Sequence, residues 1–253
     1  MSFPSTDFVE QIKRLSGPEG GLSTIALPDN TIHVMLHSGD RILMKAEKAE
    51  GNSMSGNWIC GQLIDRKSFF IPAKSDTVII KFKPWANSAI FGKGLFELVN
   101  QERLLEEFLP PQIHDVLTSD TIDLNEKLRG LINHLQACLN LEGSNIGLIH
   151  AIGYIECNHG NVRVDKLAEK IGLSRRNLER NFKEHTGLTI KKFINNTRFQ
   201  HGLYLLRSHA SISEIVFTCG YFDQSHFIDE FKERTGVTPS QFIKKNLAQN
   251  FHL

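Results

Sequence analysis

Hydrophobic and polar positions follow two rhythms along this chain. Through the first hundred residues the apolar runs are short and β-branched, as in Thr31-Ile32-His33-Val34-Met35-Leu36 and Thr77-Val78-Ile79-Ile80-Lys81-Phe82. Turn formers bound them: Pro28-Asp29-Asn30, Ser38-Gly39-Asp40, Gly51-Asn52-Ser53 and Gly56-Asn57. Short strands at such spacing predict a small β-sandwich or barrel. After Gly94 the rhythm becomes helical. Residues 95–109 read as a helix that closes at Pro110-Pro111. Asp123 to Leu141 reads as a stronger one, with Leu124, Leu128, Leu131, Leu135 and Cys138 on one stripe. That stripe serves either as a dimerisation seam or as the face that packs the helix onto its own barrel. Glu142-Gly143-Ser144-Asn145 breaks the pattern and marks a boundary. The expected class is α+β: a β-rich domain over 1–142 with some helices, then an all-α domain over 145–253.

The helical half contains a repeat. Phe182-Lys183-Glu184-His185-Thr186-Gly187-Leu188-Thr189-Ile190-Lys191-Lys192-Phe193-Ile194 aligns with Phe231-Lys232-Glu233-Arg234-Thr235-Gly236-Val237-Thr238-Pro239-Ser240-Gln241-Phe242-Ile243, with eight of 13 positions identical at an offset of 49. Upstream, Leu167 and Gly172 match Ile215 and Gly220 at an offset of 48, so the second unit carries one added residue near its turn. Each unit, about 164–185 and 212–233, predicts helix, Gly-containing turn, helix. Asp165 can start the first helix, Gly172 can end it in a left-handed conformation, and Ser174 can cap the next. In the second unit Ser211-x-x-Glu214 is a capping box, Gly220 ends the helix and Asp223 can cap its successor. Between the units, Ile190 to Leu206 predicts a long helix with Phe193, Phe199, Leu203 and Leu206 inward. This is a helix-turn-helix pattern, whose second helix enters the DNA major groove.

Charge sharpens that picture. Residues 1–153 carry 14 basic and 18 acidic side chains, net −4, and residues 154–253 carry 15 and 10, net +5. The segment 163–198 alone holds 10 basic and 4 acidic residues. A basic segment in a nearly neutral protein suits a polyanion. In the first unit Leu178 and Phe182 make the buried stripe, while Arg176, Glu179, Arg180 and Lys183 share the opposite face. Arg suits guanine O6 and N7, Glu the cytosine amine, and Lys a phosphate. In the second unit Phe227 and Phe231 face inward, and Gln224, Ser225, Ile228, Asp229 and Lys232 face out. Gln224 suits adenine and Ser225 either a base or a phosphate. Asp229 repels phosphate unless it accepts from a cytosine amine, so the first unit is expected to supply more affinity.

At these residues the chain resembles the AraC family of transcription regulators, over roughly Ile146 to Ile243. The resemblance lies in Gly220-Tyr221-Phe222-Asp223-Gln224-Ser225-His226-Phe227, followed by Phe231-Lys232-x-x-Thr235-Gly236-x-Thr238-Pro239-x-x-Phe242. It implies one rigid domain of two helix-turn-helix units whose recognition helices enter successive major-groove segments about 34 Å apart. Carried over by position, it implies base-reading candidates Arg175, Arg176, Glu179 and Arg180 in the first unit and Gln224, Ser225, His226 and Asp229 in the second. Asp229 departs from the Arg found there in many members. Leu27-Pro28-Asp29-Asn30, Gly61-Gln62 and Ile80-Lys81-Phe82-Lys83-Pro84-Trp85-Ala86-x-x-x-Ile90-Phe91-Gly92 resemble, more weakly, a barrel-like sensor domain that precedes AraC-type DNA-binding domains. That implies a regulatory role with no named effector.

Composition narrows the alternatives. With 253 residues, 40% hydrophobic and 23% charged, the chain is an ordinary folded protein of one or two domains. No apolar stretch reaches membrane-spanning length, the N-terminus lacks a signal-peptide pattern, and the four cysteines form no C-x-x-C. A reducing cytoplasm fits these features. Nothing suggests a nucleophile elbow, P-loop or H-E-x-x-H, so no enzyme, cofactor or metal is expected. His33 and His37 sit some 13 Å apart along a strand, too far for one metal ion. Cys219 reads as a small packed hydrophobe, and a redox role for Cys60 or Cys138 stays open. Trp58, Phe69, Phe70, Trp85 and Phe91 line either a ligand cavity or simply the core. Duplex DNA is the expected partner. RNA polymerase, a small-molecule effector and a second copy of the chain are compatible ones. Rival readings are an enzymatic first domain and a non-specific architectural DNA binder.

Overall fold

The computed structural model describes residues 7–46, 52–92, 95–139 and 146–244. Nine strands and ten α-helices are assigned among them. The strands are β1 (Val9–Ser16), β2 (Leu22–Ala26), β3 (His33–Gly39), β4 (Ile42–Ala46), β5 (Asn52–Met54), β6 (Trp58–Cys60), β7 (Lys67–Ile71), β8 (Ser75–Phe82) and β9 (Glu102–Leu104). They form a five-stranded sheet, β1-β8-β3-β6-β9, and a four-stranded sheet, β2-β7-β4-β5, antiparallel throughout.

The continuous apolar runs have a simple cause. The five-stranded sheet is covered on both faces, so its central strands cannot alternate apolar with polar. Ile32, Val34, Leu36, Ile59, Val78, Ile80 and Phe82 point to one core. Met35, Cys60 and Ile79 point to the other, against Ile42, Met44, Phe69 and Ile71 of the second sheet. Register matches the faces: Val34 pairs with Ile80, and Met35 with Ile79.

Helices α1 (Asn87–Phe91), α2 (Pro111–Thr118) and α3 (Leu124–Cys138) follow. Asp123 caps α3, its carboxylate accepting from the backbone of Asn125 and Glu126. Leu124, Leu128, Leu131 and Leu135 are all buried in the first core. The apolar stripe is therefore the floor of its own sheet, and the dimer-seam reading falls; the Cys138 side chain lies outside the described residues. Residues 95–109 are not one helix. They fold as a 3-10 turn at Leu95–Leu98, strand β9 and a second 3-10 turn at Leu105–Phe108. Local periodicity lost to an edge: β9 completes the sheet by pairing with β6.

The helical half holds α4 (Ile146–Cys157), α5 (Val164–Ile171), α6 (Arg175–Thr186), α7 (Ile190–Arg207), α8 (Ile212–Cys219), α9 (Gln224–Thr235) and α10 (Pro239–Lys244). Arg163 stands at the start of α5, with Asp165 in its first turn rather than at the cap. The predicted boundary at 142–145 lies outside the described residues.

The repeat is visible in three dimensions, and its identities have structural reasons. Phe182 meets Phe193 edge-to-face at 5.3 Å, and Phe231 meets Phe242 at 5.4 Å. Buried Thr186 donates to the Phe182 carbonyl at 2.6 Å, and Thr235 to the Phe231 carbonyl at 2.7 Å. Thr189 and Thr238 each accept from a backbone N–H three residues on. Gly187 and Gly236 close the two recognition helices with φ of 80° and 81°. A side chain there would be strained. It would also meet the Leu95 carbonyl oxygen at 2.8 Å in the first case and the Arg66 guanidinium in the second.

Candidate nucleic-acid interface

Each unit builds its exposed helix in the same way. The preceding helix ends on a left-handed glycine, Gly172 or Gly220. The next backbone N–H, of Leu173 or Tyr221, reaches back to Ala168 or Val216 at 3.0 Å in both cases. A side-chain oxygen then caps the following helix: Ser174 accepts from Asn177 at 3.3 Å, and Asp223 accepts from His226 at 2.8 Å. The caps leave one end of α6 and one end of α9 open to solvent, carrying the sequence-predicted residues.

In α6, Arg176, Arg180 and Lys183 are exposed and Glu179 half-exposed. No ion pair holds Arg176 or Arg180 among the described residues. Arg175 is held instead: its Nε donates to Glu179 Oε1 and a terminal nitrogen to Asp165 Oδ1, both at 2.9 Å. These carboxylates raise its pKa above the ordinary arginine value. Lys183 lies at the other end of the helix, 5.9 Å from the Phe96 ring centre. The structure thus separates the first-unit candidates into a free pair, a tethered arginine with its Glu179 partner, and a lysine beside the β-rich half.

In α9, Gln224 donates to Ser213 Oγ at 3.0 Å, which ties the side chain to α8. Ser225 is exposed. His226 stands edge-on to Tyr221 at 5.4 Å. With Asp229 and Lys232 it lines an open cleft of about 950 Å³ whose far wall includes Asp65 and Arg66. Charges of both signs line it.

The β-rich half grips this helical frame through α7. Asn196 Nδ2 donates to the Asp29 carbonyl at 3.0 Å, Asn30 Nδ2 to the Phe193 carbonyl at 3.0 Å, and Gln200 Nε2 to the Pro28 carbonyl at 2.6 Å. Gln62 donates to the Thr186 carbonyl, beside the Gly187 turn. Arg234 of α9 donates to Asn196 Oδ1 at 2.8 Å. The Asp29 carboxylate is buried against His33 and Lys81, at 3.0 and 3.1 Å. Its burial opposes ionisation, but these neighbours and Thr31 outweigh it and hold the pKa well below the usual carboxylate range.

The remaining sequence candidates settle into structural places. His37 is buried with Nδ1 2.9 Å from Thr77 Oγ1. Among the described residues no group of three or more His, Cys, Asp or Glu is placed to hold a metal. No described helix is long and apolar enough to cross a membrane. Cys219 packs in the second-unit core. Cys60 is buried with its thiol pKa pushed up by desolvation, which opposes a reactive thiolate. Phe69 is core, Phe91 and Trp58 pack against core, and Trp85 packs against both the sheet core and the first-unit core. Sequence reasoning missed the Asn196–Arg234 link, Arg66 and the exposed ring of Phe222. Only the last had a signal, the added residue in the second turn.

Two capped helix-turn-helix units on one frame define a DNA-binding helix-turn-helix domain. A family model for a helix-turn-helix domain matches residues 167–245. The chain is similar to the "HTH-type transcriptional activator RhaS" of Escherichia fergusonii, 34% identical over 102 residues, covering 40% of this chain and 37% of that protein. It is 31% identical over 167 residues to the "HTH-type transcriptional activator RhaR" of Escherichia coli O1:K1, covering 64% of this chain and 49% of that one. The chain therefore spans about half or less of the length of these curated relatives. In fold it is similar to ToxT from Vibrio cholerae, with a TM-score of 0.50 at 14% identity over 94% of this chain and 98% of that chain.

Proposed function

We propose that the chain is a cytoplasmic, sequence-specific transcription regulator that binds duplex DNA and acts as an activator. Helices α6 and α9 enter successive major-groove segments. Arg176, Arg180 and Glu179 read bases from α6, with Arg175 and Lys183 on its flanks. Gln224, Ser225 and His226 read from α9, with Asp229 and Lys232 beside them. The observation that carries this reading is the repeated frame: the same caps, turns and ring pairs hold two helices whose outer faces differ. Most identical residues serve the frame, and the differing residues of α6 and α9 serve the base readout, with the shared pair Lys183 and Lys232 on its flanks.

The β-rich half is the control element in this reading. It touches the C-terminal ends of both recognition helices, at Gly187 and Gly236, and anchors the helix between them. A change there alters the spacing of the two readers. Two inputs suit it. One is a small-molecule effector, for which the joint with α4 offers a pocket of about 570 Å³ beside Trp85, Ile149 and Ile152. The other is self-association through a surface other than the buried leucine stripe. RNA polymerase is the further partner that activation requires. No catalytic role is assigned.

The test is selection of sites from random duplex DNA by the full chain at a fixed salt of about 150 mM, because phosphate contacts make affinity steeply salt-dependent. The expected product is a motif in two blocks about one helical turn apart. A flat affinity profile would leave a non-specific binder and sink the reading.

A further inference from the structure

The two units differ in length by one residue, and the structure identifies it. Leu173 in unit one and Tyr221 in unit two are equivalent: each follows the left-handed glycine, makes the same 3.0 Å backbone bond and packs inward. In unit one the next residue is the cap, Ser174. In unit two Phe222 comes next, and only then the cap, Asp223, whose backbone is fully extended at φ −155° and ψ −179°. The added residue is therefore Phe222. Its side chain is 91% exposed, while its predecessor Tyr221 is 6% exposed.

Exposed aromatics are ordinary on a protein surface, and Phe217 of α8 is also 88% exposed. Phe222 differs in its place, just ahead of the recognition helix, beside Gln224 and Ser225 in sequence, at the end that a helix-turn-helix unit presents to base edges. A phenyl ring has no donor or acceptor, so it offers a phosphate or an amide-bearing base edge nothing. The major groove carries one apolar feature, the 5-methyl group of thymine. Unit one has no counterpart, because Leu173 is turned into the core.

We propose that Phe222 is a specificity-determining residue that reads a thymine by contact with its 5-methyl group, in the block bound by α9. This rests on the reading of α9 as a DNA-reading helix. Such a contact works with no hydrogen bond, and it adds a source of discrimination to unit two, where Gln224 must first leave Ser213 and Asp229 is acidic.

The test uses the full chain and the site recovered from random DNA. Each thymine of the second block is replaced in turn by deoxyuridine, which differs only by the methyl. The expected result is a loss of about fourfold at one position, the worth of burying one methyl-sized group. Phe222→Ala should bind the thymine and uracil forms of that position equally, and Phe222→Leu should keep the preference. The melting temperature of Phe222→Ala should equal that of the parent, because the ring supports no packing. If the parent is indifferent to uracil at every position, or if Phe222→Ala keeps the thymine preference, the proposal fails while DNA reading by α9 stands. If no site is recovered at all, both fail together.

Discussion

The two helix-turn-helix units share a skeleton and differ almost everywhere else. Their rings, threonines and cap glycines superpose in role, yet their outer faces do not. Unit one presents Arg176 and Arg180, both exposed. Unit two presents an amide bound to Ser213, an exposed phenyl ring and the carboxylate of Asp229. The difference shows which constraints a repeat keeps. Packing of a small helical core admits few solutions, so the frame stayed alike. A solvent-facing side chain has no such constraint and is free to diverge toward a different base sequence. Affinity is accordingly expected to reside in unit one, and much of the discrimination in unit two to be steric.

The strongest way to break the comparison is to remove the shared frame. Phe182→Ala and Phe231→Ala should each cost about 3–5 kcal/mol of stability, the usual range for a buried phenylalanine. They should not cost the same. Among the described residues Phe182 pairs with the ring of Phe193, whereas Phe231 contacts Phe199, Phe227 and Phe242 at 6.0, 5.7 and 5.4 Å. Denaturant unfolding should place Phe231→Ala at the upper end, with hydrogen exchange lost first in α8 to α10. Equal costs would mean that the β-rich half, not the ring cluster, sets the stability of each unit.

Next in size are the arginines. Arg176→Ala and Arg180→Ala should each cost about 1–3 kcal/mol on the preferred site and relax discrimination at one base position of the first block. Arg175→Ala should cost less, because Arg175 must first leave Asp165 and Glu179 to reach DNA. Affinity measured on the selected site and on scrambled duplex separates these roles. A uniform loss on all sequences would assign Arg176 and Arg180 to phosphates. A larger loss from Arg175 than from either neighbour would show that DNA breaks its ion pairs.

How much of this was legible without coordinates follows from the same division. The caps Ser174, Ser211 and Asp223 were readable because capping is local chemistry, settled within three or four residues. The repeat was readable because packing identities survive. The strand at Glu102–Leu104 was not, since its partner β6 lies more than 40 residues away and only pairing makes it a strand. The fate of the leucine stripe was equally non-local: the same spacing suits a partner helix or a sheet, and only the buried faces of Val34 and Leu36 decide it. At the candidate interface, the repeat located helices α6 and α9 but not the tethers of their side chains. That Arg175 is bound and Arg176 is not depends on Asp165 one helix away, and that Asp229 and Arg66 line one cleft depends on the other half of the chain.

The smallest expected effect bears on the sharpest contrast between the units, Asp229. If the carboxylate only repels the DNA backbone, Asp229→Asn should raise affinity about threefold at low salt, the scale of one exposed charge interaction in water. The gain should fade as salt screens it and be the same on every sequence. If instead Asp229 accepts from a cytosine amine, the substitution should weaken binding, and only on sites that carry that cytosine. The first outcome is the expected one, since Asp229 shares its cleft lining with two further carboxylates, Glu230 and Glu233. A titration of the variant against the selected site at two salt concentrations distinguishes the two by sign alone. A sequence-dependent loss would return base reading to this position and make unit two a polar reader like unit one. A uniform, salt-sensitive gain would leave Asp229 as a brake on affinity, with discrimination in the second block resting on its neighbours at the start of α9.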